Sequence, residues 1–387
     1  MHSMDGKEPM RVAVIGGGII GSLTAFYLHK LGARPIIVER GRIGHESSWA
    51  GAGILCPIHP WLYPDSFTHL VNKSLGMFSG LSEELSQLTG DSIEWFNCGL
   101  LIPFFDDDVV DHRHNALQWS QRFNWPVQEL DHEHVRDSEP LLSDRASGGL
   151  LWPDVGQVRN PRLLQAISKA LAMASVEVRE DAEVTGLLEN SEGHVAGVQL
   201  ADGRCIEADA VLLAAGSWSG ELARDMGLNI SVEPVKGQIA LVRTKPGAVR
   251  HIIKHDDAYF VPRQDGRVLI GASMERVGFV RGNTGEIMHE LMQATSRIVP
   301  ALAEAEVEQQ WMGFRPGSPD GLPYLGPVHH RPGLWVATGH YRNGVALAPV
   351  TADIMSRWMT GGTPGVDVHD FRVDRPHVDD ARIGFPS

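Results

Sequence analysis

The sequence predicts an α/β protein in which a doubly wound parallel sheet is joined to a second domain built on a mainly antiparallel sheet. Three observations carry the prediction. The chain opens on a strand, a glycine-rich turn, a helix and a second strand. Apolar strand signals return in the middle and again near the end. Its 387 residues exceed the size at which one hydrophobic core stops growing. Sheet signals this far apart imply a first domain assembled from discontinuous pieces, at 1–80, 160–228 and 312–387, which leaves 81–159 and 229–311 for the second domain.

Residues 11–15 (RVAVI) form a β-branched run, the first strand. Gly16-Gly17-Gly18-Ile19-Ile20-Gly21 follows, then apolar residues at helical spacing over 22–31, closed by Gly32. The run PIIV at 35–38 is the second strand and ends at Glu39. From about residue 57 to 125 the chain turns aromatic and mainly helical, with helices expected at 66–75 and 81–88. Strands are expected at 176–179, 184–189, 195–200 and 210–215. The last of these (AVLLAA) reads as a buried parallel strand running into a Gly/Ser turn. A second β-rich block places strands at 237–243, 258–262 and 268–272. Near the end WVATGH reads as a final strand, and Asn343-Gly344 opens an apolar helix through 352–358.

Composition narrows the function classes. With 43% apolar and 21% charged residues the chain is ordinary for a globular protein, and a formal net charge of −14 disfavours nucleic acid, which demands clustered Lys and Arg. Three widely spaced cysteines (Cys56, Cys98, Cys205) give neither a disulfide framework nor a metal pattern, so no metal is expected and a reducing cytoplasm is the expected compartment. The opening MHSMDGKEPM reads as a short polar extension rather than a signal peptide, and no apolar stretch reaches about 18 residues. A homo-oligomer is compatible with all of this.

At their spacing Gly16, Gly18 and Gly21 provide a tight turn, close approach of backbone to a pyrophosphate, and close packing of helix on strand. The helix N-terminus then offers unpaired N–H groups and a partial positive charge to the phosphates. Glu39 closes the second strand, where its carboxylate can accept both ribose hydroxyls. Strand, helix, second strand and terminal acid agree, so this is a Rossmann-like dinucleotide site. The stretch ERGRIGHESSWAGAGIL from Glu39 to Leu55 is a small-residue loop suited to a flat ring system, whereas an NAD enzyme is expected to pass directly into a helix and third strand.

At this loop the chain resembles the glycine oxidase and D-amino acid oxidase family of flavoproteins, including glycine oxidases of thiamine biosynthesis. The resemblance continues in order: Pro234-Val235-Lys236-Gly237-Gln238, then Asp257-Ala258-Tyr259-Phe260-Val261-Pro262, then Gly271-Ala272-Ser273-Met274. Next come Gly313-Phe314-Arg315-Pro316-Gly317-Ser318-Pro319-Asp320-Gly321-Leu322-Pro323 and Gly339-His340-Tyr341-Arg342-Asn343-Gly344. The resemblance implies FAD, held noncovalently since no cysteine follows Cys205. It implies cofactor contacts from Gly16, Gly18, Ile19, Ile20 and Gly21, from Glu39 and Arg40, and from Ser47, Ser48, Ala50, Gly51, Ala52, Gly53 and Ile54. Further contacts are implied from Val184, Ala215, Gly216 and Trp218, and from Gly339 through Val345 (Gly339, His340, Tyr341, Arg342, Asn343, Gly344, Val345).

For the reaction, the resemblance implies that Arg315, read as lying in a Pro/Gly-rich turn, clamps the substrate carboxylate bidentately, with the Tyr259 hydroxyl as second donor. Arg342 borders that site and Met274 lines a small pocket beside the amino group. His340 reads as a hydrogen-bonded structural histidine rather than a base. The aromatic stretch His59-Pro60-Trp61-Leu62-Tyr63-Pro64 reads as an entrance lid. The implied chemistry is hydride transfer from Cα–H of glycine or a small N-substituted or D-amino acid to flavin N5, then imine hydrolysis to a 2-oxo acid and ammonia. Dioxygen reoxidises the flavin to give hydrogen peroxide; the alternative is a dehydrogenase passing electrons to a quinone or carrier.

Overall fold

The computed structural model describes residues 8–57, 59–106 and 112–376, and the start of the polar extension lies outside them. Among the described residues the strands form four sheets. One is six-stranded, in the order Tyr324–Pro327, Leu334–Thr338, Ala210–Leu213, Arg11–Ile15, Arg34–Val38, Glu177–Arg179. Its neighbours run parallel except for the edge strand Tyr324–Pro327, which is antiparallel to Leu334–Thr338. Val12, Val14, Ile37, Leu212 and Val336 are fully buried, as strands covered on both faces require. Helices Ile19–Lys30, Asp65–Thr89, Asn160–Met173 and Ala348–Met359 share one continuous apolar core with this sheet.

The second large sheet has eight strands, and all its pairs are antiparallel except Leu100–Phe105 beside Ile252–His255. At one edge Val307–Gly317 pairs with Glu233–Arg243 along their length. Helix Gly285–Ile298 buries Met288, Leu291 and Ile298 against this sheet.

Several elements differ from expectation for physical reasons. The two helices at 66–75 and 81–88 are one, Asp65–Thr89, which also crosses the boundary expected at residue 80. Gly76 and Gly80 each cost about 1 kcal/mol in a helix interior, but Phe78, Leu81 and Leu85 carry the buried stripe through them. The region read as mainly helical to residue 125 instead contains strand Leu100–Phe105. The helix expected to open at Asn343-Gly344 begins at Ala348, after a short 3-10 turn at Tyr341–Asn343. No helix among the described residues is long and apolar enough to cross a membrane.

Candidate active site

A cavity of about 370 Å³ runs from the glycine turn, across the ends of the parallel strands, to the inner face of the antiparallel sheet. At its first end Gly16 has φ +105°, and a Cβ there would lie 2.5 Å from the Ala214 carbonyl oxygen. A Cβ on Gly21 would lie 2.0 Å from the Gly16 oxygen, so only glycine lets the helix seat on the turn. Glu39 accepts hydrogen bonds from the N–H groups of Gly17 (2.8 Å) and Gly41 (2.9 Å), which fixes its carboxylate on the cavity wall.

The small-residue loop is pinned from several elements. Ser48 Oγ accepts from the Ile19 N–H at 2.9 Å, Asn160 donates to the Ser48 carbonyl at 2.8 Å, and Trp311 Nε1 donates to the Ala50 carbonyl at 3.0 Å. The buried Arg263 donates to the carbonyls of Ala52 (2.8 Å) and Val158 (3.1 Å). Gly53 has φ +77° and passes so close to Val158 that a Cβ would sit 2.0 Å from its oxygen.

At the other end, Arg315 is in strand Val307–Gly317, register-paired with Val235, rather than in the turn expected for it. Its guanidinium lies across Gly237, where a Cβ would meet Nη1 at 2.4 Å, and it donates to the Ser273 carbonyl at 3.0 Å. The Tyr259 hydroxyl accepts a hydrogen bond from Arg315, and burial pushes its phenol up, so the proton stays on. The hydroxyl end of the Tyr259 ring lies against Gly271, whose Cβ would be 2.7 Å from the Tyr259 hydroxyl oxygen. Arg342 faces Asp257 at 3.7 Å.

Most of the expected contact residues line this one cavity, from Gly16, Gly18, Ile19 and Ile20 to Gly344 and Val345. Four do not. Gly21 packs behind the turn, and Gly339 packs on Tyr324 and Ser318. Asn343 is buried and donates to the Tyr63 hydroxyl at 3.4 Å. Met274 sits behind the wall, its sulfur taking the Tyr341 hydroxyl at 3.0 Å and the Arg342 guanidinium. His340 lines the cavity but is buried, with Nε2 3.0 Å from Thr351 Oγ1, and burial lowers its pKa to about 3. The aromatic stretch is not over the main cavity: His59, Pro60 and Trp61 wall a small side void.

Sequence reasoning missed Lys254 and Asp257, both on the cavity wall. The available signal for Lys254 was a lysine directly after Ile252-Ile253, in a strand that was not anticipated.

The family described as FAD dependent oxidoreductase (DAO) matches residues 11–358. A glycine oxidase of Pseudomonas putida is 37% identical over 97% of this chain and 99% of its own. One from Pseudomonas aeruginosa is 38% identical over 92% of this chain and 96% of its own. The crystal structure of glycine oxidase from Geobacillus kaustophilus superposes with a TM-score of 0.90 at 32% identity, covering 95% of this chain and all of that one.

Proposed function

Because this chain belongs to the family of FAD-dependent oxidoreductases, we propose that it oxidises the Cα–N bond of glycine or a close relative, the imine then hydrolysing to a 2-oxo acid and ammonia. The observation that carries this reading is the Arg315–Tyr259 pair on the cavity wall. Two of the pair's donors converge where a carboxylate fits: the free edge of a fork-shaped guanidinium and a phenol whose oxygen already accepts from Arg315. The glycine oxidases similar to this chain support glycine as the first substrate to test.

The residues present fit FAD. Gly16 and Gly18 leave bare backbone where the pyrophosphate must approach, and the Glu39 carboxylate spends two of about four acceptor sites on backbone, leaving two for ribose hydroxyls. The loop 47–54 puts mostly small residues on the cavity wall, where they would take a flat ring system held noncovalently. Gly16, Gly18, Glu39 and this loop would hold the cofactor; Gly21 and Asn343 serve it by packing. Bound FAD supplies the two-electron oxidant.

The chain's own part is to fix the substrate. Arg315 and Tyr259 hold the carboxylate and so place Cα, which converts an encounter into a near-unimolecular step. Arg342, propped by Met274 and Asp257, adds positive charge beside them. His340 is tied to Thr351 and does not accept the amine's proton, so the amine enters neutral after losing its proton to solvent. We place the protein in the cytoplasm, with dioxygen as acceptor; three free thiols suit a reducing compartment.

Purified protein should be yellow, and anaerobic addition of glycine, sarcosine, D-alanine or D-proline should bleach the oxidised flavin band. If none does, the reading fails. Stoichiometric hydrogen peroxide in air supports dioxygen as acceptor, whereas turnover only with a quinone assigns a dehydrogenase.

A further inference from the structure

Lys254 is 4% exposed, and its Nζ has no hydrogen-bond partner among the described residues. It stands with three other orphaned buried nitrogens: His59 Nδ1, Trp61 Nε1 and His112 Nε2. The three rings are mutually packed, with centroids 5.4 Å apart for His59 and Trp61 and 4.9 Å for His59 and His112. The void that His59 and Trp61 share with Lys254 measures about 20 Å³, room for one water. A water can satisfy Trp61 and a histidine, but it carries no charge, so the ammonium stays uncompensated. Burial, with Arg342 nearby, pulls its pKa down to about 8 despite Asp257.

Lys254 also borders the main cavity, on the substrate side. It is register-paired with Tyr259 in an antiparallel ladder, so the two side chains leave the same face with Cβ atoms about 4.5–5.5 Å apart. The charges gathered there are Arg315, Arg342 and Lys254 against Asp257, a surplus of two positive charges. A glycine-type carboxylate neutralises one. The second is left on Lys254, a flexible four-carbon side chain that lines both the side void and the main cavity.

We propose that the cavity takes an amino acid carrying a second anionic group, and that Lys254 is the residue that meets it. This rests on the assignment of the first carboxylate to Arg315 and Tyr259. A buried cation without a partner is costly, and an anionic substituent brings the missing counter-charge with the substrate.

The test uses the holoenzyme and two acid–amide pairs of nearly equal shape, N-(carboxymethyl)glycine against N-(carbamoylmethyl)glycine and D-aspartate against D-asparagine. In at least one pair the acid should have at least about tenfold the kcat/KM of its amide. The preferred pair tells whether the second acid is carried on nitrogen or on Cα. Lys254→Met should collapse that ratio to threefold or less, and Lys254→Arg should retain part of it. Lys254→Met should also melt no lower than wild type, because it removes an uncompensated buried charge. Equal use of acid and amide by the wild type overturns the proposal, as does an unchanged ratio in Lys254→Met or a clear loss of thermal stability there. If no amino acid is oxidised at all, the earlier reading fails; dissociation constants from flavin absorption changes still decide this one, acid having to bind about tenfold tighter than amide.

Discussion

Replacing Gly237 by alanine tests the carboxylate site without touching either of its donors. The added methyl would lie 2.4 Å from Arg315 Nη1, 2.6 Å from Nη2 and 2.7 Å from Cζ, whereas ordinary contact begins at 3.4 Å. The backbone of Glu233–Arg243 is held in its ladder on both sides, so the flexible side chain gives way. The guanidinium must retreat by about 1 Å, and a 1 Å misplacement of a positioning group costs about 10²-fold, or about 2.7 kcal/mol, in transition-state stabilisation. Stability should not suffer, since alanine is favoured over glycine inside a strand by about 0.5–1 kcal/mol. The assay is anaerobic stopped-flow reduction of the flavin by glycine, beside FAD content and melting temperature. Gly237→Ala should keep wild-type FAD content while kcat/KM drops about a hundredfold, and amines without a carboxylate should be nearly indifferent. A drop smaller than threefold for glycine with FAD retained would refute the placement of the substrate carboxylate on Arg315.

Arg315→Ala removes the clamp outright and should raise KM at least about tenfold while lowering turnover, a loss of about 2–4 kcal/mol read from steady-state kinetics. Glu39→Lys puts a cation in place of the acceptor that anchors the Gly17 and Gly41 N–H groups, so the purified variant should be largely apoprotein by its ratio of visible to ultraviolet absorbance. His340 has a folded pKa of about 3 against about 6.5 unfolded, so between those values the unfolded chain binds a proton that the folded one does not. Stability is therefore lost as pH falls through that window, by up to about 1.4 kcal/mol per unit, and His340→Gln should show a shallower fall between pH 6.5 and 4.5 in urea titrations. The same variant should keep the rise of flavin reduction with pH toward the substrate amine's pKa. Burial pushes the Cys56 thiol up, whereas Cys205 is exposed, so mass spectrometry after brief alkylation at pH 8 should find Cys205 modified and Cys56 intact.

The parallel sheet was legible because its strands are buried on both faces and so read as unbroken apolar runs, RVAVI, PIIV and AVLL. Much of the second sheet was hidden by the residues that make its close approaches possible. Gly148 in Ala146–Trp152 looks like a turn signal, yet a Cβ there would meet the Leu130 carbonyl at 2.6 Å, so the glycine serves a strand contact. Gly313, Pro316 and Gly317 likewise suggested a turn around Arg315, whereas they flank it in a strand, opposite the glycine its guanidinium needs. Charge at the site was the least legible. The motif residues announced Arg315 and Arg342, but Lys254 belongs to no glycine- or proline-marked segment, and only the register that sets it opposite Tyr259 brings it to the cavity.

The order of strands in the parallel sheet has a consequence for how the protein is made. Arg11–Ile15 leaves a ribosome about two hundred residues ahead of its neighbour Ala210–Leu213, and Leu334–Thr338 follows more than a hundred residues after that. At about 5–20 residues per second the first strand waits on the order of 10–40 s for one partner, and the sheet is incomplete for roughly 16–65 s. Until Ala210–Leu213 is made, Val12, Val14 and Ile15, buried in the finished protein, lie in a strand that has Arg34–Val38 on one side and no neighbour on the other. A nascent chain stalled before Ala210 should therefore engage holdase chaperones through its N-terminal strand–helix–strand segment, and release should coincide with synthesis of Ala210–Leu213.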